Sequence, residues 1–151
     1  MVTKLEVLKI ETFQRFFHQL VLLYRPFENR LNTELSKHQL YRAQWSIMYY
    51  MYNDGSVTLV ELSHYLGVEK PTVTRTIAKL EEMGYLEPVP TKDKREKRMH
   101  LTDAGRKVYQ EVRVTIDEFE QDILEGISEE EQLEGIRMMS LIRKNLMQGE
   151  L

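Results

Sequence analysis

No cysteine occurs among the 151 residues. Disulfides, thiolate metal sites and cysteine-based redox sensing are therefore excluded. No apolar run approaches a membrane span, and the N-terminus lacks a stretch of signal-peptide type. The expectation is a cytoplasmic protein with no membrane partner. Glycine and proline are sparse, 7 and 4, and the glycines fall at expected turns and helix ends. There is no phosphate-binding glycine loop, no nucleophile elbow and no H-E-x-x-H. The histidines (His18, His38, His64 and His100) are scattered without ligand-like spacing. Asp54, Gly55, Val57 and Glu61 imitate half a calcium loop, but Tyr50 and Tyr52 stand where a hard cation needs carboxylates. No metal, no cofactor and no enzyme are expected.

What is there is globular and strongly patterned. Hydrophobic residues make up 42% and charged residues 30%, which argues against disorder. The net charge of −3 is unevenly spread. Residues 103–151 hold 6 basic and 12 acidic groups, whereas residues 70–98 hold 8 basic and 5 acidic ones. Screening over roughly 10 Å lets a basic surface act separately from an acidic one at physiological salt. A nucleic-acid partner is thus compatible with an acidic chain.

Phe13, Phe16, Leu20, Leu23, Phe27, Leu31 and Leu35 recur at helical steps, with Pro26 expected to kink or interrupt the helix. A second helix runs from Arg42 to Tyr52 with Trp45, Ile47, Met48 and Met51 apolar. Asn53-Asp54-Gly55 ends it. Thr58 and Glu61 form a capping box for a third helix, with Leu59, Leu62 and Leu66 inward. Pro71 opens a fourth helix with Val73, Ile77 and Leu80 inward, and Gly84 closes it. Leu86–Val89 and Arg98–Leu101 read as a hairpin around a charged tip. Thr102 caps a fifth helix carrying Val108, Val112, Ile116, Phe119 and Ile123. Ser128 and Glu131 cap a sixth, with Leu133, Ile136, Ser140 and Leu146 on one side.

Two short helices around a tight turn, followed by a charged hairpin, make a winged helix-turn-helix. The fold class is mainly α with a small β-hairpin wing and long N- and C-terminal dimerisation helices. A single domain covers residues 1–151. Residues 39–102 form the DNA-binding lobe, and residues 1–38 and 103–151 form the dimerisation helices. The fourth helix is the expected reader. With Val73, Ile77 and Leu80 inward, Thr72, Arg75, Thr76 and Lys79 fall outward, Thr74 lies at the flank and Lys70 sits at the helix start. Arginine can bind guanine through two bonds, and threonine can touch base edges, phosphates or thymine methyls. In the hairpin tip, Arg95 is the candidate for the minor groove and Asp93 for orienting it. Lys92, Lys94, Lys97 and Arg98 are candidates for phosphates. A charged loop alone is commonly just solvated; its place after a helix-turn-helix gives it weight.

These residues resemble the MarR family of bacterial regulators. Leu62-Ser63 with Leu66-Gly67-Val68 is similar to the family's third helix. Thr72-Val73-Thr74-Arg75, Leu80-Glu81 and Gly84-Tyr85-Leu86 are similar to its recognition helix and exit. Asp93-Lys94-Arg95 with Leu101-Thr102 and Gly105 matches its wing, and Gln44-Trp45 resembles the opening of its second helix. Lys97 departs where an apolar residue is frequent, and Pro71 is a less usual opening. The resemblance implies a homodimer built from the first, fifth and sixth helices. It implies a palindromic double-stranded DNA operator and repression relieved by a small aromatic or lipophilic effector. In the family the ligand pocket lies between the dimer helices and the DNA-binding lobe. Phe17, Tyr24, Trp45, Met48 and Tyr49, with His18 or Arg42, are candidates to line it, although core packing is the preferred reading for each. Dimerisation also has a physical motive, because one helix in one groove makes too few contacts for operator affinity. The alternative is a winged-helix module that binds protein without touching DNA.

Overall fold

The computed structural model describes residues 10–90, 92 and 97–148. The wing-tip candidates Asp93, Lys94 and Arg95 lie outside the described residues. The described chain runs α1 (Thr12–Ser36), α2 (Arg42–Asp54), β1 (Val57–Thr58), α3 (Leu59–Leu66) and α4 (Lys70–Glu82). It continues through β2 (Leu86–Pro88), β3 (Arg98–Leu101), α5 (Asp103–Ile123) and α6 (Glu129–Met147). It divides into two compact units, Met1–Asp117 and Glu118–Leu151.

Both capping boxes form. The Thr58 hydroxyl accepts from the Glu61 amide at 3.1 Å, and the Glu61 carboxylate accepts from the Thr58 amide at 3.3 Å. Ser128 and Glu131 repeat the exchange at 3.1 and 3.2 Å. Each box satisfies two amides that a helix start otherwise leaves open. Gly55 ends α2 at φ 87°, Gly67 ends α3 at φ 64°, and Pro71 lies in the first turn of α4. The Ser63 hydroxyl donates to the Val68 carbonyl at 2.5 Å and ties down the turn between α3 and α4.

Within the first unit, Leu31 and Leu35 of α1 are buried, as are Trp45, Ile47, Met48 and Met51 of α2. Leu62 of α3, Val73, Ile77 and Leu80 of α4 and Val112 and Ile116 of α5 complete the helical core. Tyr109, absent from the expected apolar stripe of the fifth helix, is also buried. Its ring stacks on Trp45 at 4.8 Å and on Tyr52 at 4.2 Å between centroids.

Four details differ from or narrow the sequence expectations. Of the two outcomes expected for Pro26, a kink or an interruption, interruption does not occur: the residue lies on an exposed part of α1, where water can take the carbonyl it leaves unpaired. Leu59 and Leu66 are half-buried, and Leu62 alone of the α3 trio is fully enclosed. The hairpin gains a third strand, in the order β1-β3-β2. Val57 pairs with Met99 and Thr58 with Arg98, while Leu86, Glu87 and Pro88 pair with Leu101, His100 and Met99. Finally, Thr76 is buried, 7% exposed, and its hydroxyl donates to the Thr72 carbonyl at 3.0 Å.

In the second unit, no described residue of α6 is buried. Leu133, Ile136, Met139 and Leu146 all stand exposed. No described helix is long and apolar enough to cross a membrane.

Candidate nucleic-acid interface

The outward face of α4 follows from its inward one. Val73, Thr76, Ile77 and Leu80 are buried, so Thr74, Arg75, Ala78 and Lys79 are left exposed, with Thr72 half-buried and Lys70 exposed at the start. The face is narrower than the sequence suggested. Thr76 was placed outward, but burial removes its side chain from any ligand, and its hydroxyl already has an acceptor. Burying a hydroxyl is tolerable only when it is bonded, and the carbonyl one turn back supplies that bond.

On the remaining face, Thr74 donates its hydroxyl to the Lys70 carbonyl at 2.8 Å. Its donor is thus used, leaving its methyl and an oxygen lone pair toward solvent. Arg75 Nη2 donates to the Thr72 hydroxyl at 3.4 Å, a weak contact that leans the guanidinium along the helix toward its N-terminus. Lys79 Nζ lies 3.6 Å from Glu82 in an exposed pair that competes little with another anion. These side chains form a short polar and cationic strip on a helix held from behind by α2, α3 and β2.

The wing base is different in character. Among its described residues, β3 and the residue before it carry three groups that can be cationic, each facing a carboxylate. Lys97 Nζ is 3.8 Å from Glu81, Arg98 Nη1 is 3.4 Å from Glu61, and His100 Nε2 is 2.9 Å from Glu87. Lys97 remains largely exposed, and Lys92 is exposed. Arg98, expected to meet phosphate, instead turns toward α3. Its Nε donates to the Ser56 hydroxyl at 3.3 Å and its Nη2 to the Ser56 carbonyl at 3.2 Å. Among the described residues, the groups pushed from their ordinary pKa lie on α6. A hydrogen bond from Arg137, followed by its charge, holds Glu134 below the usual carboxylate range and raises Arg137 in return.

Of the effector candidates, Trp45 and Met48 are core residues, and Arg42 Nε pairs with Glu28 at 2.7 Å. Phe17, His18, Tyr24 and Tyr49 are exposed. Among the described residues no group of three or more His, Asp or Glu could hold a metal ion.

Comparison with known proteins gives a consistent picture. The MarR family sequence model matches residues 40–97, the span from α2 to the wing. The HTH-type transcriptional regulator YwoH of Bacillus subtilis is 37% identical over 118 residues, covering 78% of this chain and 86% of that protein. A Staphylococcus aureus HTH-type transcriptional regulator is 31% identical over 89% of this chain and 94% of its own length. Among solved structures, Staphylococcus aureus MarR in complex with salicylate and kanamycin aligns with a TM-score of 0.77 at 30% identity, over 89% of this chain and 92% of that one. A cysteine-to-serine mutant of E. coli MarR complexed with operator DNA aligns with a TM-score of 0.73 at 20% identity, over 88% and 99%, and supports the fold alone. The chain belongs to the MarR family of winged helix-turn-helix transcriptional regulators.

Proposed function

We propose that this protein is a cytoplasmic, homodimeric repressor that binds a palindromic double-stranded DNA operator and releases it on binding a small aromatic or lipophilic effector. The observation that carries the DNA-binding part is the split in α4: one side locked into the core, the other presenting Lys70, Thr72, Thr74, Arg75 and Lys79. Arg75 is the base reader, paired to guanine. Thr74 offers a methyl to thymine. Lys70, Lys79, Lys92 and, more weakly, Lys97 meet phosphates. In the wing tip, the sequence assigns Arg95 to the minor groove, Asp93 to orienting it and Lys94 to the backbone. Thr76 and Arg98 are left out of this contact set for the reasons given above.

Dimerisation is supported by apolar surface that one subunit leaves bare. Phe13, Leu20 and Leu23 of α1 are 64%, 51% and 64% exposed, and α6 adds Leu133, Ile136 and Met139. A soluble monomer seldom leaves so many large apolar side chains in water. The functional division follows: residues 39–102 read DNA, and residues 1–38 and 103–151 join subunits. The effector proposal leans on the salicylate bound to the S. aureus relative.

Selection of bound sequences from random duplex DNA tests the reading. The expected product is an inverted repeat with half-sites about one helical turn apart. Four phosphate-facing lysines per subunit (Lys70, Lys79, Lys92 and, by sequence, Lys94), eight per dimer, give a log–log salt slope of about −7. An absence of enrichment, or affinity indifferent to salt, supports the protein-binding alternative instead.

A further inference from the structure

Arg98 sits where the wing enters the sheet. It pairs with Thr58 of β1, and its carbonyl accepts from the Val89 amide at 2.9 Å, so its backbone is held on both sides. Its side chain crosses β1. One edge of the guanidinium meets Ser56 twice, through the hydroxyl at 3.3 Å and the carbonyl at 3.2 Å. The remaining nitrogen reaches Glu61 Oε1 at 3.4 Å, while Glu61 Oε2 accepts from the Thr58 amide and closes the cap of α3. One carboxylate therefore serves two elements: it starts the helix that leads into the reader, and it receives the arginine at the root of the wing. A planar fork with fixed donors suits this task; a lysine ammonium cannot span both acceptors in the same geometry.

We propose that Arg98 is a positioning residue for DNA binding. Through Ser56 and Glu61 it latches the wing to the N-terminus of α3, so that wing and reading helix approach the duplex in a fixed relation. This rests on the DNA-binding function proposed above. It opposes the simpler role for a wing cation, a direct phosphate contact. The two roles give Glu61 opposite effects. In a latch, Glu61 helps Arg98 and favours binding. Beside a phosphate contact, Glu61 competes for Arg98 and weakens binding.

The sign of the coupling between the two residues decides. The probe is a duplex selected by the wild-type protein from random DNA. Its affinity is measured for wild type, Glu61→Gln, Arg98→Gln and the double variant. Glutamine at position 61 keeps the capping box intact. Loss of the Glu61 charge draws DNA closer in both backgrounds, and that general effect cancels in the cycle. The expected result is a favourable coupling of about two- to five-fold, the range of a partly exposed ion pair. Arg98→Lys should bind as poorly as Arg98→Gln, with both variants folded at the assay temperature and their dimer mass unchanged. A coupling of opposite sign, or rescue by lysine, establishes the phosphate contact and overturns the latch; a cycle with no coupling overturns the latch as well. A wild-type protein that selects no duplex overturns the regulator function itself, and the latch with it.

Discussion

Replacing Gly105 by alanine should unfold the protein more easily, against the ordinary preference of a helix. Gly105 is in the first turn of α5, and its φ is not in the left-handed region, so conformational freedom is not what the position requires. What it requires is room. A Cβ added there would lie 2.2 Å from the Tyr85 carbonyl oxygen and 3.0 Å from its carbon, with Leu101 Cδ2 at 3.2 Å. The nearest obstacle is backbone, so no rotamer change relieves it. The start of α5 would have to retreat by about 1 Å to reach ordinary contact distance. That retreat pulls on a seam of three hydrogen bonds. The Thr102 amide donates to the Tyr85 carbonyl at 3.0 Å, the Thr102 hydroxyl to the Gly84 carbonyl at 2.7 Å, and the Gly105 amide to the Thr102 hydroxyl at 3.0 Å. Overpacking costs about 1–3 kcal/mol, and loss of one or two of these bonds adds about 1 kcal/mol each. The gain in helix propensity returns about 1 kcal/mol. The net loss is about 1–4 kcal/mol. With a urea slope of about 2 kcal/mol/M, the unfolding midpoint should fall by about 0.5–2 M at fixed protein concentration. A variant as stable as wild type, or more stable, would refute the close approach of α5 to the turn after α4.

Three further outcomes follow from the interface. Arg75→Ala should weaken binding to the selected duplex by about 1–3 kcal/mol and relax preference at one base pair per half-site, checked by repeating the selection with the variant. Arg95→Ala should weaken duplex binding while leaving the dimer intact, measured by titration and sedimentation in parallel; wild-type affinity removes the tip from the contact set. Leu20→Glu places a charge on the bare apolar stripe of α1, in a residue that suits a helix. Sedimentation should show monomers and the selected duplex should be bound more weakly, whereas an undisturbed dimer would move the interface elsewhere.

The features legible in the sequence were local ones. The boxes at Thr58 and Ser128 need partners three residues away, and the turn glycines act alone, so both followed from spacing. Helix α4 is legible from Val73, Ile77 and Leu80, but Thr76 shares their side of it. It reads as polar because its bond to the Thr72 carbonyl, which lets a threonine go inward, is invisible to a hydropathy pattern. Tyr109 had a usable signal in its steps of three and four to Val112 and Ile116. The neighbouring Val108, which is half-buried, drew the stripe one position aside. Strand β1 has two residues, too few for an alternation to register. Arg98 could not be assigned from its neighbours. Its partners Ser56 and Glu61 come 42 and 37 positions earlier, and only the folded sheet brings them together.

That last case bears on where the wing can hold DNA. At its root, Lys97, Arg98 and His100 each face a glutamate supplied by α4, α3 or β2. At the root Lys97 and Arg98 are each offset by a carboxylate, and the strand is cross-tied to three elements. Such a root attracts little phosphate, but it fixes the direction in which the hairpin leaves the lobe. Lys92 is exposed, and by sequence Lys94 and Arg95, with Asp93 assigned to orient the arginine, follow it in the tip. Field and stiffness are thus divided: the base contributes geometry, and the end contributes charge. A wing cationic throughout would bind phosphate at any depth and blur its register. One neutralised at its root favours contact through its tip, which would limit the separation between the proposed minor-groove and major-groove contacts of a half-site.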